Sequence, residues 1–150
     1  MLKASAKEFS IQPHLMIVSS DINAMTKSPE WKQSNTFDVL DGGSKARISE
    51  RYSTSKLLEV LFVRQIALKL AASGVILNML NTGLCHSELA RDGGRRMAIM
   101  KTLLVRATEE GSRTLGAAAV AGPESHGRYK TDAKVNNGAI SDFAKSEEWE

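Results

Sequence analysis

The chain has 150 residues, 42% of them hydrophobic, and a net charge of +3. That apolar fraction excludes wholesale disorder. Three prolines without a glycine period exclude a collagen, and a single cysteine excludes a disulfide scaffold or a multi-cysteine zinc site.

The length is that of one domain, and residues 1–150 are read as one. The first ten residues carry Lys3, Lys7 and Glu8 with no apolar run, so they do not form a secretory signal. Later apolar stretches are broken at Arg64, Lys69 or Asn78, short of the roughly 18 residues that span a bilayer. A soluble, cytoplasmic protein without a transmembrane segment is expected.

Leu15-Met16-Ile17-Val18, between Pro13 and Ser19-Ser20-Asp21, predicts a buried strand ending in a polar turn. Residues 21–48 are polar, contain Pro29, Gly42 and Gly43, and show no period. They predict a long polar loop with one helical turn around Trp31.

From Ser49 to Ala72 there is no Gly or Pro, and Leu, Ala, Glu, Lys and Arg are frequent. This predicts a long helix capped by Ser49 and stopped by Gly74. Its apolar residues, from Leu57 to Leu70, cover more than a narrow stripe, so burial on more than one side is expected. Val75 to Leu80 predicts a second buried strand, closed by the Asn81-Thr82-Gly83 turn. Strand, long helix and strand give the logic of a parallel sheet.

Further on, Ser87–Arg91 and Arg95–Ala107 have helical composition. Thr108 is a plausible cap for a helix reaching Ala121, stopped by Gly122-Pro123. Tyr129–Val135 predicts a last short strand, and Phe143–Glu150 has helical composition. The fold class is therefore α/β, a partial doubly wound, Rossmann-like parallel sheet. The strands are too few for both halves of a dinucleotide fold and match its second half only.

Charge is uneven: residues 141–150 hold −3 and the rest +6. Arg91, Arg95, Arg96, Lys101, Arg106 and Arg113 could face phosphates. Solvated helix faces explain them more simply, and 5% aromatics leave little for base stacking, so no nucleic-acid partner is expected. Cys85 and His86 are neighbours, but His14 and His126 share no metal-ligand spacing with them, so no metal site is expected.

Tyr52 and Lys56, four residues apart in the long helix, share one face. A phenol titrates near 10, and a nearby ammonium favours its ionised form. Such a pair can pass a proton to or from a substrate alcohol or carbonyl. Ser19-Ser20 closes the preceding strand, where open α/β sheets place their sites. After the next strand come Gly83 and, four residues on, Ser87.

This order resembles the short-chain dehydrogenase/reductase family over about Leu15 to Tyr129. "YSTSKLLEVLFVRQIA" is similar to the catalytic helix of retinol-dehydrogenase-like members, and "NTGLCHSELAR" to the family's Asn-Pro-Gly turn in fungal members. The resemblance implies that Tyr52 is the acid/base, that Lys56 supports it and holds the nicotinamide ribose, and that Ser20 orients the substrate. Gly83 and Ser87 would contact the nicotinamide end of NADP or NAD. It further implies an NAD(P)-dependent oxidoreductase interconverting an alcohol and a carbonyl on a small lipophilic substrate. The fungal likeness points to polyketide or terpenoid secondary metabolite biosynthesis.

Two departures stand beside it. No Gly-rich strand-to-helix fingerprint occurs, since Gly42-Gly43 and Gly93-Gly94 follow no strand. Thr82 also stands where the family has Pro. The first departure keeps open a truncated, non-catalytic remnant or interaction protein lacking the nucleotide-binding half. It also predicts weak nucleotide binding by the 150 residues and an apolar helix face at Leu57, Leu58, Leu61, Phe62 and Val63 left exposed. That face would be covered by a homo-oligomer or a partner.

Overall fold

The computed structural model describes residues 1–26, 28–42, 47–85, 106–146 and 149. Its centre is the most apolar strand. β2 (Ile76–Asn81) is buried at every position, the pattern of a parallel strand covered on both faces. β1 (His14–Val18) runs parallel to it, from His14 opposite Ile76 to Val18 opposite Leu80. β3 (Tyr129–Thr131) pairs on the other side, also parallel, with Met79 opposite Tyr129. β4 (Lys134–Val135) returns antiparallel against β3, so the order is β1-β2-β3-β4. The protein is an α/β structure with a mostly parallel four-stranded sheet among the described residues.

The long helix is α3 (Arg51–Leu70), the crossover between β1 and β2. Ser53 and Thr54 are buried at the start of the helix, and the buried apolar residues Leu57, Val60, Val63 and Ala67 recur every three or four positions. They form the core with Leu77, Met79, Tyr129, Ile140 and Ala144. The alternate residues of β2 serve the opposite face. There Asn78 donates from Nδ2 to the carbonyl of Ala118, in helix α4 (Thr108–Ala119), and to Ser125 Oγ. Strand alternation thus sends Leu77 and Met79 to α3 and Asn78 toward α4.

Several boundaries differ from the sequence expectation. Ser49 does not cap α3. Residues 48–50 wind as a tighter 3-10 turn, Glu50 takes the cap position, and its side chain is held by Thr26 Oγ1 and Arg47. Ala107 stands in the cap position of α4, which starts at Thr108 and ends at Ala119. The single strand expected over Tyr129–Val135 is a hairpin. Asp132 and Ala133 both take positive φ, the geometry of a two-residue turn that matches strand twist.

Residues 21–48 hold more helix than expected. Beyond the turn Pro29–Lys32 around Trp31, there is a 3-10 turn at Asp21–Met25 and a short helix α2 (Thr36–Asp41). The Asn35 side chain starts α2 by accepting from the backbone N–H of Phe37 and Asp38. The N-terminal α1 (Leu2–Phe9) ends at Ser10 in a left-handed conformation. The last helix, α5, is Asp142–Lys145. The helical stretches expected over Ser87–Arg91 and in most of Arg95–Ala107 lie outside the described residues.

The exposed apolar helix face is also narrower than expected. Leu57 and Val63 are in the core. Leu61 packs at its edge, and Leu58 and Leu61 line a cavity with Trp31, Phe37 and Phe143. Phe62 alone of the five is exposed, because it points opposite the buried stripe. On the outer edge of β1, Leu15 and Val18 are exposed.

α4 seats closely on the turn after β2. Cys85 bridges to Arg106, and the Arg106 N–H donates to the Leu84 carbonyl at 2.9 Å. A Cβ on Gly111 would clash with Cys85 Sγ and lie 3.1 Å from the Thr82 carbonyl oxygen. Ala ordinarily favours a helix over Gly by roughly 0.5–1 kcal/mol. Gly111→Ala is expected to reverse that and destabilise by about 1–3 kcal/mol through overpacking. A urea melt would show it. Cys85→Ala should recover part of the loss, while the Thr82 backbone contact remains.

Candidate functional site

The polar residues gather at the carboxyl end of β1. Ladder pairing continues one residue past the strand, with the Ser19 N–H donating to the Leu80 carbonyl at 2.7 Å. Ser19 is buried, and its hydroxyl donates to the Lys56 carbonyl at 3.5 Å. It therefore ties the strand end to α3. Ser20 is only partly buried and caps the Asp21–Met25 turn, accepting from the Ile22 N–H at 3.4 Å. Its O–H donates to no other described residue.

Two contacts hold the Ser20 turn against the core. Asn23, fully buried, donates to the Ser20 carbonyl at 2.9 Å and accepts from the Ser141 N–H at 2.9 Å. Tyr129, also fully buried, donates its O–H to Asp21 at 3.0 Å. Burial, then the adjacent Asp21 charge, pushes the Tyr129 phenol well above its usual range. The folded chain therefore keeps this proton where the unfolded chain loses it, near pH ~10. Its stabilising contribution is intact below that pH and falls as pH rises beyond it. Urea midpoints from about pH 8 to about pH 11 should show a steeper alkaline loss than in Tyr129→Phe, which carries no such proton.

α3 brings Tyr52 and Lys56 to the same strand end. Lys56 Nζ donates to the Val18 carbonyl at 3.1 Å and lies 5.8 Å from the centre of the Tyr52 ring. Tyr52 is 45% exposed, and its O–H bonds to no other described residue. The ammonium is also clasped by Glu59, at 2.8 and 3.1 Å from its two oxygens. Glu59 is a site residue that the sequence reading did not single out. Its i, i+3 spacing from Lys56 was the available signal. Asp21 and Asn23 likewise carry no role in the sequence reading, because their partners Tyr129 and Ser141 lie more than a hundred residues away and leave no local pattern.

Gly83 follows β2 with φ +75°, and its N–H donates to Asn81 Oδ1 at 3.0 Å. The Arg106 side chain lies 3.6 Å from where its Cβ would be. Arg106 pairs with Asp132 and holds that carboxyl below the ordinary range. Ser87 lies outside the described residues. Tyr52, Lys56 and Ser20 thus sit at one strand end, with Gly83 at the end of the neighbouring strand, although no hydrogen bond joins Ser20 to Tyr52 or Lys56. Cavities of about 290, 380 and 780 Å³ lie along α3 among the described residues, and Tyr52 lines none of these.

Of the basic cluster, Arg106 and Arg113 are described, and both are paired and exposed, Arg113 with Glu109 at 2.9 Å. Arg91, Arg95, Arg96 and Lys101 lie outside the described residues. No group of three potential metal ligands and no helix able to cross a membrane occurs among the described residues.

No family model matches the chain. Short-chain dehydrogenase anuD of Penicillium roqueforti is 38% identical over 157 residues, covering 98% of this chain and 41% of that protein. Short chain dehydrogenase/reductase dmxR8 of Cryptosporiopsis sp. is 39% identical over 145 residues, covering 92% of this chain and 45% of that protein. Among solved structures, carbonyl reductase Sniffer of D. melanogaster matches with a TM-score of 0.58 at 17% identity, over 93% of this chain and 48% of that one. That structural likeness carries the fold, and the chain spans less than half the length of the relatives it matches. On these sequence matches, the chain belongs to the short-chain dehydrogenase/reductase family.

Proposed function

We propose that the chain carries the proton-transfer side of an NAD(P)-dependent oxidoreductase acting on an alcohol or carbonyl. The observation that supports this best is the free Tyr52 hydroxyl beside the Lys56 ammonium at the end of β1. In this reading Tyr52 gives its proton to the substrate oxygen during reduction and takes it back during oxidation. Lys56 keeps positive charge beside the phenol, and Ser20 donates its unused O–H to the same oxygen.

The residues present fit the nicotinamide end of a dinucleotide. Lys56 can donate to ribose hydroxyls, Gly83 offers a side-chain-free approach, and Ser87 is assigned by its place in the sequence. When bound, that cofactor supplies or accepts the hydride. The remainder of the dinucleotide calls for a Gly-rich strand-to-helix turn, which this sequence does not contain.

For the substrate we assign a small lipophilic molecule of fungal polyketide or terpenoid metabolism. The fungal origin of the relatives supports this. So do Met25 and Ile48, exposed apolar residues on the segments leading from Ser20 and into α3. The test is to follow NADPH consumption with a panel of lipophilic ketones. Turnover lost in Tyr52→Phe supports the reading, and equal turnover in both proteins overturns it.

The second reading is an interaction protein without catalysis, and the exposed Leu15 and Val18 on the outer edge of β1 favour it. NADPH titration separates the two. Micromolar binding favours the enzyme, and no binding together with self-association in light scattering favours the interaction protein.

A further inference from the structure

Tyr52, Lys56 and Glu59 stand at i, i+4 and i+7 on α3, so all three share one helix face. From that face the Lys56 ammonium crosses to β1. In a parallel pair, alternate residues turn their N–H and C=O groups toward the neighbouring strand. The Ile76 N–H donates to the Pro13 carbonyl and the Ser19 N–H to the Leu80 carbonyl, which leaves the Val18 carbonyl facing the outer edge. Lys56 Nζ meets that carbonyl at 3.1 Å. It thereby ties α3 to the strand edge and stays beside the Tyr52 ring, 5.8 Å from its centre.

A lysine does not keep such a position unaided, because its four-carbon stem is flexible and its ammonium is strongly hydrated. Val18 supplies one hydrogen bond. Glu59 supplies the second hold, with its two oxygens 2.8 and 3.1 Å from Nζ. An ammonium carries three N–H donors, and these three oxygens match them in number. The pair is also the most sheltered of the described ion pairs. Its side chains are 18% and 33% exposed, against 69% and 71% for Arg113 and Glu109. Salt and water screen it correspondingly less.

We propose that Glu59 is a positioning residue, which holds the Lys56 ammonium at the end of β1 beside the Tyr52 ring. The proposal rests on the Tyr52–Lys56 reading given above. Glu59 also offsets part of the ammonium charge, so its removal has two opposed effects. The lost hold decides the sign, because a stem free to turn into solvent carries its whole charge away from Tyr52.

The position is read first, without cofactor or substrate. In proton–nitrogen correlation spectra recorded cold and near neutral pH, an ammonium held by a carboxylate gives a signal that freely solvated lysines lose to exchange. Lys56→Arg identifies the Lys56 signal. That signal is expected in the parent chain, weakened in Glu59→Gln, which keeps the length and one acceptor oxygen, and lost in Glu59→Ala. Glu109→Gln, which breaks the exposed pair with Arg113, should leave it unchanged. Circular dichroism confirms that each variant is folded, and Glu59→Gln decides if Glu59→Ala is not. In turnover of a lipophilic ketone with NADPH, Glu59→Ala should lower kcat about tenfold through misplacement of Lys56, with the ketone KM within about twofold. Glu59→Gln should recover most of that loss. A parent chain without turnover tells against the oxidoreductase reading, and the spectra alone then decide on Glu59. The proposal is overturned by no Lys56 signal in the parent, by an equal signal in Glu59→Ala, or by an unchanged kcat in Glu59→Ala.

Discussion

Tyr52→Phe is expected to lower carbonyl reduction by about 10²–10⁴-fold, the range that a positioned general acid contributes. The substitution removes one oxygen and leaves the ring. That oxygen bonds to no other described residue and the side chain is 45% exposed, so the melt should stay within about 0.5 kcal/mol of the parent. The contrast between a large rate loss and an unmoved melt is the informative result. It separates a chemical role from a packing role, since the Tyr52 ring would still face the Lys56 ammonium. Matched losses of rate and stability would place the residue in the scaffold instead.

Leu77→Ala is expected to carry the largest stability loss, about 2–5 kcal/mol. Leu77 is fully buried at the centre of β2, packed among Leu57, Val60 and Tyr129. Walls built from a strand and a long helix collapse poorly around a void, which favours the upper part of that range. Total stabilities of about 5–15 kcal/mol leave little margin for such a loss. Leu68→Ala is the matched control. It deletes the same atoms on the opposite side of α3, where Leu68 is 73% exposed, and should cost under about 0.5 kcal/mol. Urea denaturation of the two variants side by side measures the difference.

What the sequence made legible follows from the range of the forces involved. The two apolar strands, the long helix and the Tyr52–Lys56 spacing are local patterns, and each lies within one or two residues of its expected place. Ser49 failed as a cap because a long-range contact, Thr26 to Glu50, holds a 3-10 turn there. The Asp132-Ala133 hairpin was hidden because Ala133 stands where such turns ordinarily have Gly, leaving Asp132 as a signal without its usual partner. α2 announced itself only through Asn35, a cap inside a polar stretch. At the site, Lys56 and Tyr52 were readable from periodicity. The Ser20 turn was readable as a strand end, but its supports, Asn23 to Ser141 and Asp21 to Tyr129, join distant parts of the chain.

The bridge between Cys85 and Arg106 has a consequence for how such a chain can vary. The path from β2 into α4 is closed by Leu84, Cys85, Arg106 and the close seat of Gly111, all outside the stretch between them. Position 111 is therefore pinned to glycine by the exit of β2, whereas Gly116, five residues on in the same helix with open space about its Cβ position, is free to change. A larger side chain at 111 would act first on the Gly83 turn, through Thr82 and Cys85, and only then on the sheet.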